Sequence, residues 1–234
     1  MVKKFKPEKW FQRDRYQKAT VLVIGRRGSG KTTFMLDIAK HFHAPKAVVF
    51  SATDHMQHAY SKHFNPKFIF KTPDDATLQK VIDAQKELVA KNNSFVESGL
   101  LVIVDDAGYA KNFFKSKIMS ELLMNGRWYG CAVIVGVQDA SSIPLALRTQ
   151  FDLICARTEP FKVGQERLYK WFFGQYENFK DFQKAHTQLT KDYGLMILDN
   201  ICADVSNIQK SIYWYVVKNT RPRYKFGSAD YVNA

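Results

Sequence analysis

The stretch Thr20-Val-Leu-Val-Ile24, continuing as Gly25-Arg-Arg-Gly-Ser-Gly-Lys-Thr32, decides how this chain is read. Its first five residues are apolar or β-branched and predict a strand buried on both faces. The turn that follows matches G-x-x-x-x-G-K-[ST] and runs into a helical pattern over 30–42. The glycines let backbone N–H groups turn inward to make an anion nest, and the helix start adds the positive end of its dipole. Lys31 can reach the β and γ phosphates of a nucleotide, and the Thr32 hydroxyl can ligate Mg²⁺. The nucleotide-binding set is therefore Gly25, Arg26, Arg27, Gly28, Ser29, Gly30, Lys31, Thr32 and Thr33. ATP is expected over GTP, because no N-K-x-D guanine-reading motif occurs.

A second strand supplies acid. Leu100-Leu-Val-Ile-Val-Asp-Asp106 is an apolar run ending in two carboxylates, the pattern of a Walker B strand. Asp105 is expected to hold Mg²⁺ from the strand's carboxyl end, together with Thr32. Asp106 faces the attacking water, as base or as orienter. Many related ATPases place Glu there, and Asp is one methylene shorter. A third buried strand, Ala132-Val-Ile-Val-Gly-Val-Gln138, ends in an amide that can sense the γ phosphate or orient water. Arg127 precedes this strand and Arg148 follows it; either can neutralise transition-state charge from a neighbouring subunit.

Further strands are predicted over 47–50, 67–70, 151–156, 194–198 and 211–217, and helices over 74–91 and 112–126. Residues 161–189 are aromatic-rich and helical in tendency. Strands alternating with helices mean an α/β fold with a mainly parallel sheet. With 234 residues and no Pro/Gly-rich linker, one domain is expected over 20–220, between a basic N-terminal arm (1–19) and a basic C-terminal tail (221–234). The 35 basic and 22 acidic residues leave a net charge of +13, a bias toward polyanionic partners. Hydrophobic residues make up 46%, which excludes a disordered or fibrous chain. Cys131, Cys155 and Cys202 form neither a disulfide framework nor a zinc spacing, which suits a reducing compartment. Neither a signal peptide nor a membrane-spanning run is expected.

Taken together, these motifs resemble the DNA-packaging ATPases of large double-stranded DNA viruses and virophages, a poxvirus-type branch of the FtsK/HerA superfamily of P-loop NTPases. The resemblance rests on Ile24-Gly-Arg-Arg-Gly-Ser-Gly-Lys-Thr, on Ile103-Val-Asp-Asp, on Asn125-Gly-Arg-Trp-Tyr-Gly with Gln138 and Leu147-Arg-Thr-Gln-Phe-Asp152, and on Asp192-Tyr-Gly-Leu-Met-Ile-Leu-Asp-Asn200 with Ile212-Tyr-Trp-Tyr215. It spans about residues 20–220. Gln150, Trp128 and Val216 depart from the family pattern, where Asn, His and Lys are usual. The resemblance implies a three-layer P-loop NTPase sandwich of the RecA/FtsK-HerA kind with additional C-terminal strands. It implies a ring-shaped homo-oligomer that uses ATP and Mg²⁺ to move double-stranded DNA into a preformed capsid, at the viral assembly site of a host cell. Lys31, Asp106, Gln138, Arg127 and Arg148 then form the catalytic set, with Gln138 as sensor; of the two candidates for the arginine supplied in trans, Arg148 is favoured, because its loop would lie at the subunit edge. Capsid or inner-vertex proteins are the further partners implied.

Two other readings stay open: a nucleotide-gated assembly or capsid-interaction protein that hydrolyses slowly, or another P-loop ATPase acting on nucleic acid. The aromatics Tyr169, Trp171, Phe172, Phe173, Tyr176, Phe179 and Phe182 read as core or subunit interface, or as a stacking surface. His55 and His58 read as a solvated helix face rather than a metal site. Arg221-Pro-Arg-Tyr-Lys225 and the N-terminal arm are expected to be loosely held DNA contacts.

Overall fold

The structure is a computed structural model that describes residues 2–92, 94–106, 112–202, 207–218 and 223–234. Its strands are β1 (Lys3–Lys4), β2 (Thr20–Ile24), β3 (Lys46–Ser51), β4 (Ile69–Phe70), β5 (Leu100–Asp105), β6 (Cys131–Val137), β7 (Leu153–Ala156), β8 (Leu195–Asp199) and β9 (Ile212–Tyr215). Among the described residues they make one nine-stranded sheet, in the order β1-β9-β8-β7-β2-β6-β5-β3-β4. From β7 to β4 all neighbours are parallel. β8 alone runs antiparallel to its neighbours β7 and β9, and β1 adds in parallel to β9.

Register brings the functional strand ends level. Ile24 pairs with Val137, Gly136 with Asp105, and Asp105 with Ser51. The phosphate loop, the acidic pair and Gln138 therefore emerge on one edge of the sheet, at the carboxyl ends of the strands, where open α/β sheets bind ligands.

The helices are α1 (Pro7–Trp10), α2 (Asp14–Gln17), α3 (Lys31–Ala39), α4 (Asp54–Gln57), α5 (Asp75–Lys91), α6 (Phe95–Ser98), α7 (Lys117–Asn125), α8 (Lys162–Trp171), α9 (Phe179–Leu189) and α10 (Ala229–Asn233). All residues of β2, β5, β6, β7 and β8 are buried, so both faces of the sheet must be covered. Successive residues serve opposite faces. Leu22 and Ile24 join a core with Leu78 and Ile82 of α5, Ile118 and Leu122 of α7, Leu168 of α8 and Phe182 of α9. Val21 and Val23 join another with Phe34, Met35 and Ile38 of α3. The result is a three-layer α/β sandwich.

The helix expected over 112–126 is shorter. A 3₁₀ turn occupies Phe113–Lys115, and the Ser116 hydroxyl accepts from the Met119 amide at 3.3 Å to start α7 one residue later. The strand expected over 151–156 runs from Leu153, although just before it the Asp152 amide donates to the Thr20 carbonyl at 2.9 Å and the Asp152 carbonyl accepts from the Asn200 amide at 2.8 Å.

The described residues at both chain ends are packed rather than loose. β1 extends the sheet, and Phe5, Trp10, Phe11 and Tyr16 are buried in the α3-side core. The Trp10 indole donates to Asp199 Oδ2 at 2.7 Å. At the other end the Tyr224 ring stacks on His63 at 4.5 Å and its hydroxyl donates to the Leu36 carbonyl at 2.9 Å. Phe226 and Tyr231 are buried. In both segments aromatics alternate with lysines and arginines, so burial of the rings leaves the charges at the surface. Arg221 and Pro222 lie outside the described residues. Cys131 and Cys155 are buried in β6 and β7, and burial pushes both thiols up; Cys202 is exposed. Among the described residues no helix is long and apolar enough to cross a membrane.

Candidate functional site

The phosphate loop joins β2 to α3. Gly30 sits at φ +84° just before the helix, a conformation open to glycine and strained for other residues. Lys31 is the first residue of α3 and is 7% exposed. A lysine at the first helical position adds its positive charge to an end of the helix whose backbone dipole is also positive, an arrangement that favours an anion there. The Ser29 hydroxyl is buried without a hydrogen-bond partner.

Asp105 ends β5 at 4% exposure. Its Oδ2 accepts from the Thr32 hydroxyl at 2.8 Å and from the Tyr60 hydroxyl at 2.9 Å. Its Oδ1 is buried and has no partner. Burial raises this carboxyl above its ordinary value, against the pull of the Thr32 and Tyr60 hydroxyls and of Lys31. Gly136 on β6 makes the room: a Cβ there would lie 2.8 Å from Asp105 Oδ1 and 2.7 Å from Met35 Sδ. A buried carboxylate with one unpartnered oxygen, bonded through its other oxygen to a threonine hydroxyl, offers the oxygen donors that a hard divalent cation takes. The residues present thus fit Mg²⁺.

Asp106 differs in every respect. It is half-buried, and its φ of +56° turns the chain out of the strand. Its Oδ1 accepts from the Gln138 amide at 2.6 Å, from the end of the neighbouring β6. The two carboxylates separate into a buried one with an open oxygen and an accessible one braced by an amide. The first can hold a metal, and the second can orient a water molecule.

Sequence reading missed two members. Tyr60, from the loop after β3, is completely buried and anchors Asp105; burial and the Asp105 charge push its hydroxyl well above the ordinary tyrosine range. Nothing in its local sequence marks it. Arg157 follows β7 and is 3% exposed. Its Nη2 donates to the Gly30 carbonyl at 2.8 Å and its Nη1 to the Tyr193 carbonyl. Its Nε is buried without a partner, and burial lowers its pKa to about 10, so it remains charged at neutral pH. Among the described residues no carboxylate pairs with it. A cation ending an apolar strand beside the phosphate-loop strand was the available signal.

The remaining predicted residues lie in two groups. Arg26 sits over the Phe161 ring at 5.4 Å, and both Arg26 and Arg27 are exposed at the loop. Thr33 faces a cleft of about 750 Å³ shared with Lys62, Arg223 and Lys225. Arg127 and Arg148 are not brought to the phosphate loop of their own chain. Arg127 lies before β6, with Nη2 2.7 and 2.8 Å from the two oxygens of Asp152, which also accepts from the Thr20 amide at 2.9 Å. Seven residues of β6 separate that point from Gln138, about 20 Å at strand rise. Arg148 stacks 3.7 Å over the Trp171 ring and donates from Nε to the Ile143 carbonyl at 3.1 Å. His55 and His58 are exposed, and no group of three or more potential ligands (His, Cys, Asp or Glu) that could hold a metal occurs among the described residues.

Comparisons with known proteins agree with this architecture. The family described as Poxvirus A32 protein matches residues 8–162. Uncharacterized protein 075L of Invertebrate iridescent virus 6 is 30% identical over 215 residues, covering 91% of this chain and 83% of that protein. Uncharacterized protein L437 of Acanthamoeba polyphaga mimivirus is 28% identical over 220 residues, 91% of this chain and 76% of that protein. Among solved structures, the genome packaging NTPase B204 of Sulfolobus turreted icosahedral virus 2, in complex with AMPPCP, superposes with a TM-score of 0.62 at 18% identity, covering 86% of this chain and 98% of that one. That likeness carries the fold.

Proposed function

The chain belongs to the poxvirus A32 protein family, and from that premise we propose that it is an ATP-hydrolysing motor that moves double-stranded viral DNA into a preformed capsid. The observation that carries the reading is the division of labour between Asp105 and Asp106 beside the phosphate loop. A nucleotide triphosphate lies along the Gly25–Thr32 backbone, with Lys31 on its β and γ phosphates. Thr32 and Asp105 would hold Mg²⁺, directly or through water, and the ion would supply positive charge against the phosphate oxygens. The Tyr60 and Thr32 hydroxyls both donate to Asp105 Oδ2 and so fix the carboxylate at the end of β5. Asp106 accepts a hydrogen bond from the attacking water, and Gln138 holds its carboxylate in place. B204 was solved with AMPPCP and with ATP-gammaS, which supports ATP as the nucleotide here.

The family reading makes the working unit a homo-oligomeric ring. In it a neighbouring subunit supplies the arginine that meets the γ phosphate. The sequence favoured Arg148 for this role, but its guanidinium is stacked on Trp171, so we assign the role to Arg127, whose side chain is 46% exposed despite its ion pair. Duplex DNA is met by clustered bases. Lys3, Lys4, Lys6, Lys9 and Arg13 line one cleft of about 850 Å³, and Lys62, Arg223 and Lys225 line the one beside Thr33. Each phosphate contact releases counterions, so DNA affinity falls steeply with salt. The setting is the virus assembly site in the host cell.

The test is steady-state ATP hydrolysis by the purified oligomer with and without duplex DNA. The rate is expected to rise with DNA and to collapse in Lys31→Ala. An oligomer that hydrolyses ATP yet is indifferent to DNA at low salt would overturn the motor.

A further inference from the structure

Asp192 and Tyr193, between α9 and β8, hold φ of +50° and +61° in succession. Two consecutive left-handed residues make a turn that Asn-Gly fills without strain. Here the second position carries a bulky ring, and Tyr193 is 71% exposed, so burial does not explain it. Strain of this kind persists where surrounding structure enforces it and gathers at functional sites.

Hydrogen bonds supply the enforcement. The Tyr193 carbonyl accepts from Arg157, whose other nitrogen holds the Gly30 carbonyl of the phosphate loop. The Gly194 amide closes the turn on the Lys191 carbonyl at 2.8 Å. One buried guanidinium thus ties the turn to the phosphate loop. Because β8 is antiparallel to β7, with Met196 opposite Ala156, the turn before β8 lies on the same sheet edge as the loop. Tyr193 Cδ1 lies only 3.8 Å from where a Cβ on Gly30 would be. The exposed Phe161 also flanks the loop, but Arg26 already occupies its ring face. The Tyr193 ring has no aromatic or cationic partner among the described residues.

We propose that Tyr193 is the platform on which the base of the bound nucleotide stacks, held in register with the phosphates by Arg157. This rests on the reading of the phosphate loop as a nucleotide site and adds the base to it. Purines, with the larger π face, are the preferred ligands, and Arg157 is a positioning residue.

Equilibrium binding of ATP, CTP and inorganic tripolyphosphate to the full chain tests it. Tyr193→Asn removes the ring and relieves the left-handed strain. That variant is expected to melt at or above the native temperature, to lose about tenfold or more in ATP affinity, and to bind tripolyphosphate as before. Its preference for ATP over CTP should collapse, and Tyr193→Phe should restore both. Unchanged ATP affinity in Tyr193→Asn overturns the proposal, as does an equal loss for tripolyphosphate. Lys31→Ala reports separately on the underlying site: it should lose both ATP and tripolyphosphate, and if it retains both the nucleotide reading itself fails.

Discussion

At the carboxyl ends of β2, β5, β6 and β7, Ser29 Oγ, Asp105 Oδ1 and Arg157 Nε are buried without partners, and Asp106 has a positive φ. At the amino ends of the same strands, Asp152 accepts from the Arg127 guanidinium and from the Thr20 amide. A buried polar group left unpaired costs about 1–3 kcal/mol. The same sheet therefore leaves its unpartnered polar atoms on one edge, where a phosphate chain and a cation would complete them, and carries a satisfied ion pair on the other. The contrast also separates two kinds of arginine. Arg157 is buried and aimed at main-chain carbonyls of the site, whereas Arg127 is partly exposed and faces away from it.

Replacing the groups of the carboxyl edge should produce the largest functional losses. Asp105→Asn is expected to lower ATP turnover by about 10³-fold, in line with removal of a group that sets transition-state charge, as read by single-turnover hydrolysis. It should at the same time stabilise the nucleotide-free protein, because the charge it removes is buried and half-satisfied. A variant that lost both activity and stability would break the comparison.

The packed chain ends give the next largest effect, on stability alone. Trp10→Ala should cost about 3–5 kcal/mol in denaturant unfolding, since the ring is buried and its N–H is bonded to Asp199. A loss below about 1 kcal/mol would mean a detachable arm.

A matched pair sharpens the arginine contrast. Arg157→Met keeps bulk but removes both carbonyl donors, and should weaken ATP binding about tenfold, the worth of one charge-assisted hydrogen bond. Arg127→Met should leave ATP binding to the isolated subunit within twofold and cost at most about 1 kcal/mol of stability, because its pair is partly exposed. Equal effects of the two would erase the distinction.

The smallest effect is in pH. Asp105 titrates above its ordinary value in the fold, so the folded chain binds that proton more tightly than the unfolded chain does. Its contribution is fully present below the ordinary carboxylate value of 3.8 and is lost as pH rises through the folded one. The melting-temperature gap between Asp105→Asn and the native chain, measured without nucleotide, should therefore narrow as the pH is lowered through that window. A gap that widened toward acid would reverse the sign assigned to Asp105.

What the sequence made legible was local. Gly25–Thr32 is a contiguous motif between a strand and a helix, and the Walker B strand and the Gln138 strand each carry their functional group at the end of an apolar run. Such groups are placed by the strand itself, so pattern and position come together. Arg157 was obscured because its partners at 30 and 193 lie far along the chain, and Tyr60 because it meets Asp105 across 45 positions. The ends were misjudged for a related reason. Their lysines are read directly from sequence, but the burial of Phe5, Trp10, Tyr224 and Tyr231 between those charges needs a surface made by the rest of the fold.

By itself, the sequence determined a mainly parallel α/β sheet, its phosphate loop and its acidic strand end, because strand periodicity, helix start and nest chemistry all act within about a dozen residues. Tertiary structure decided which edge each arginine serves, which carboxylate oxygen stays open, and that both basic ends are part of the core. Those outcomes depend on register between strands and on contacts such as Trp10 to Asp199, 189 positions apart, whose geometry exists only once the sheet is assembled.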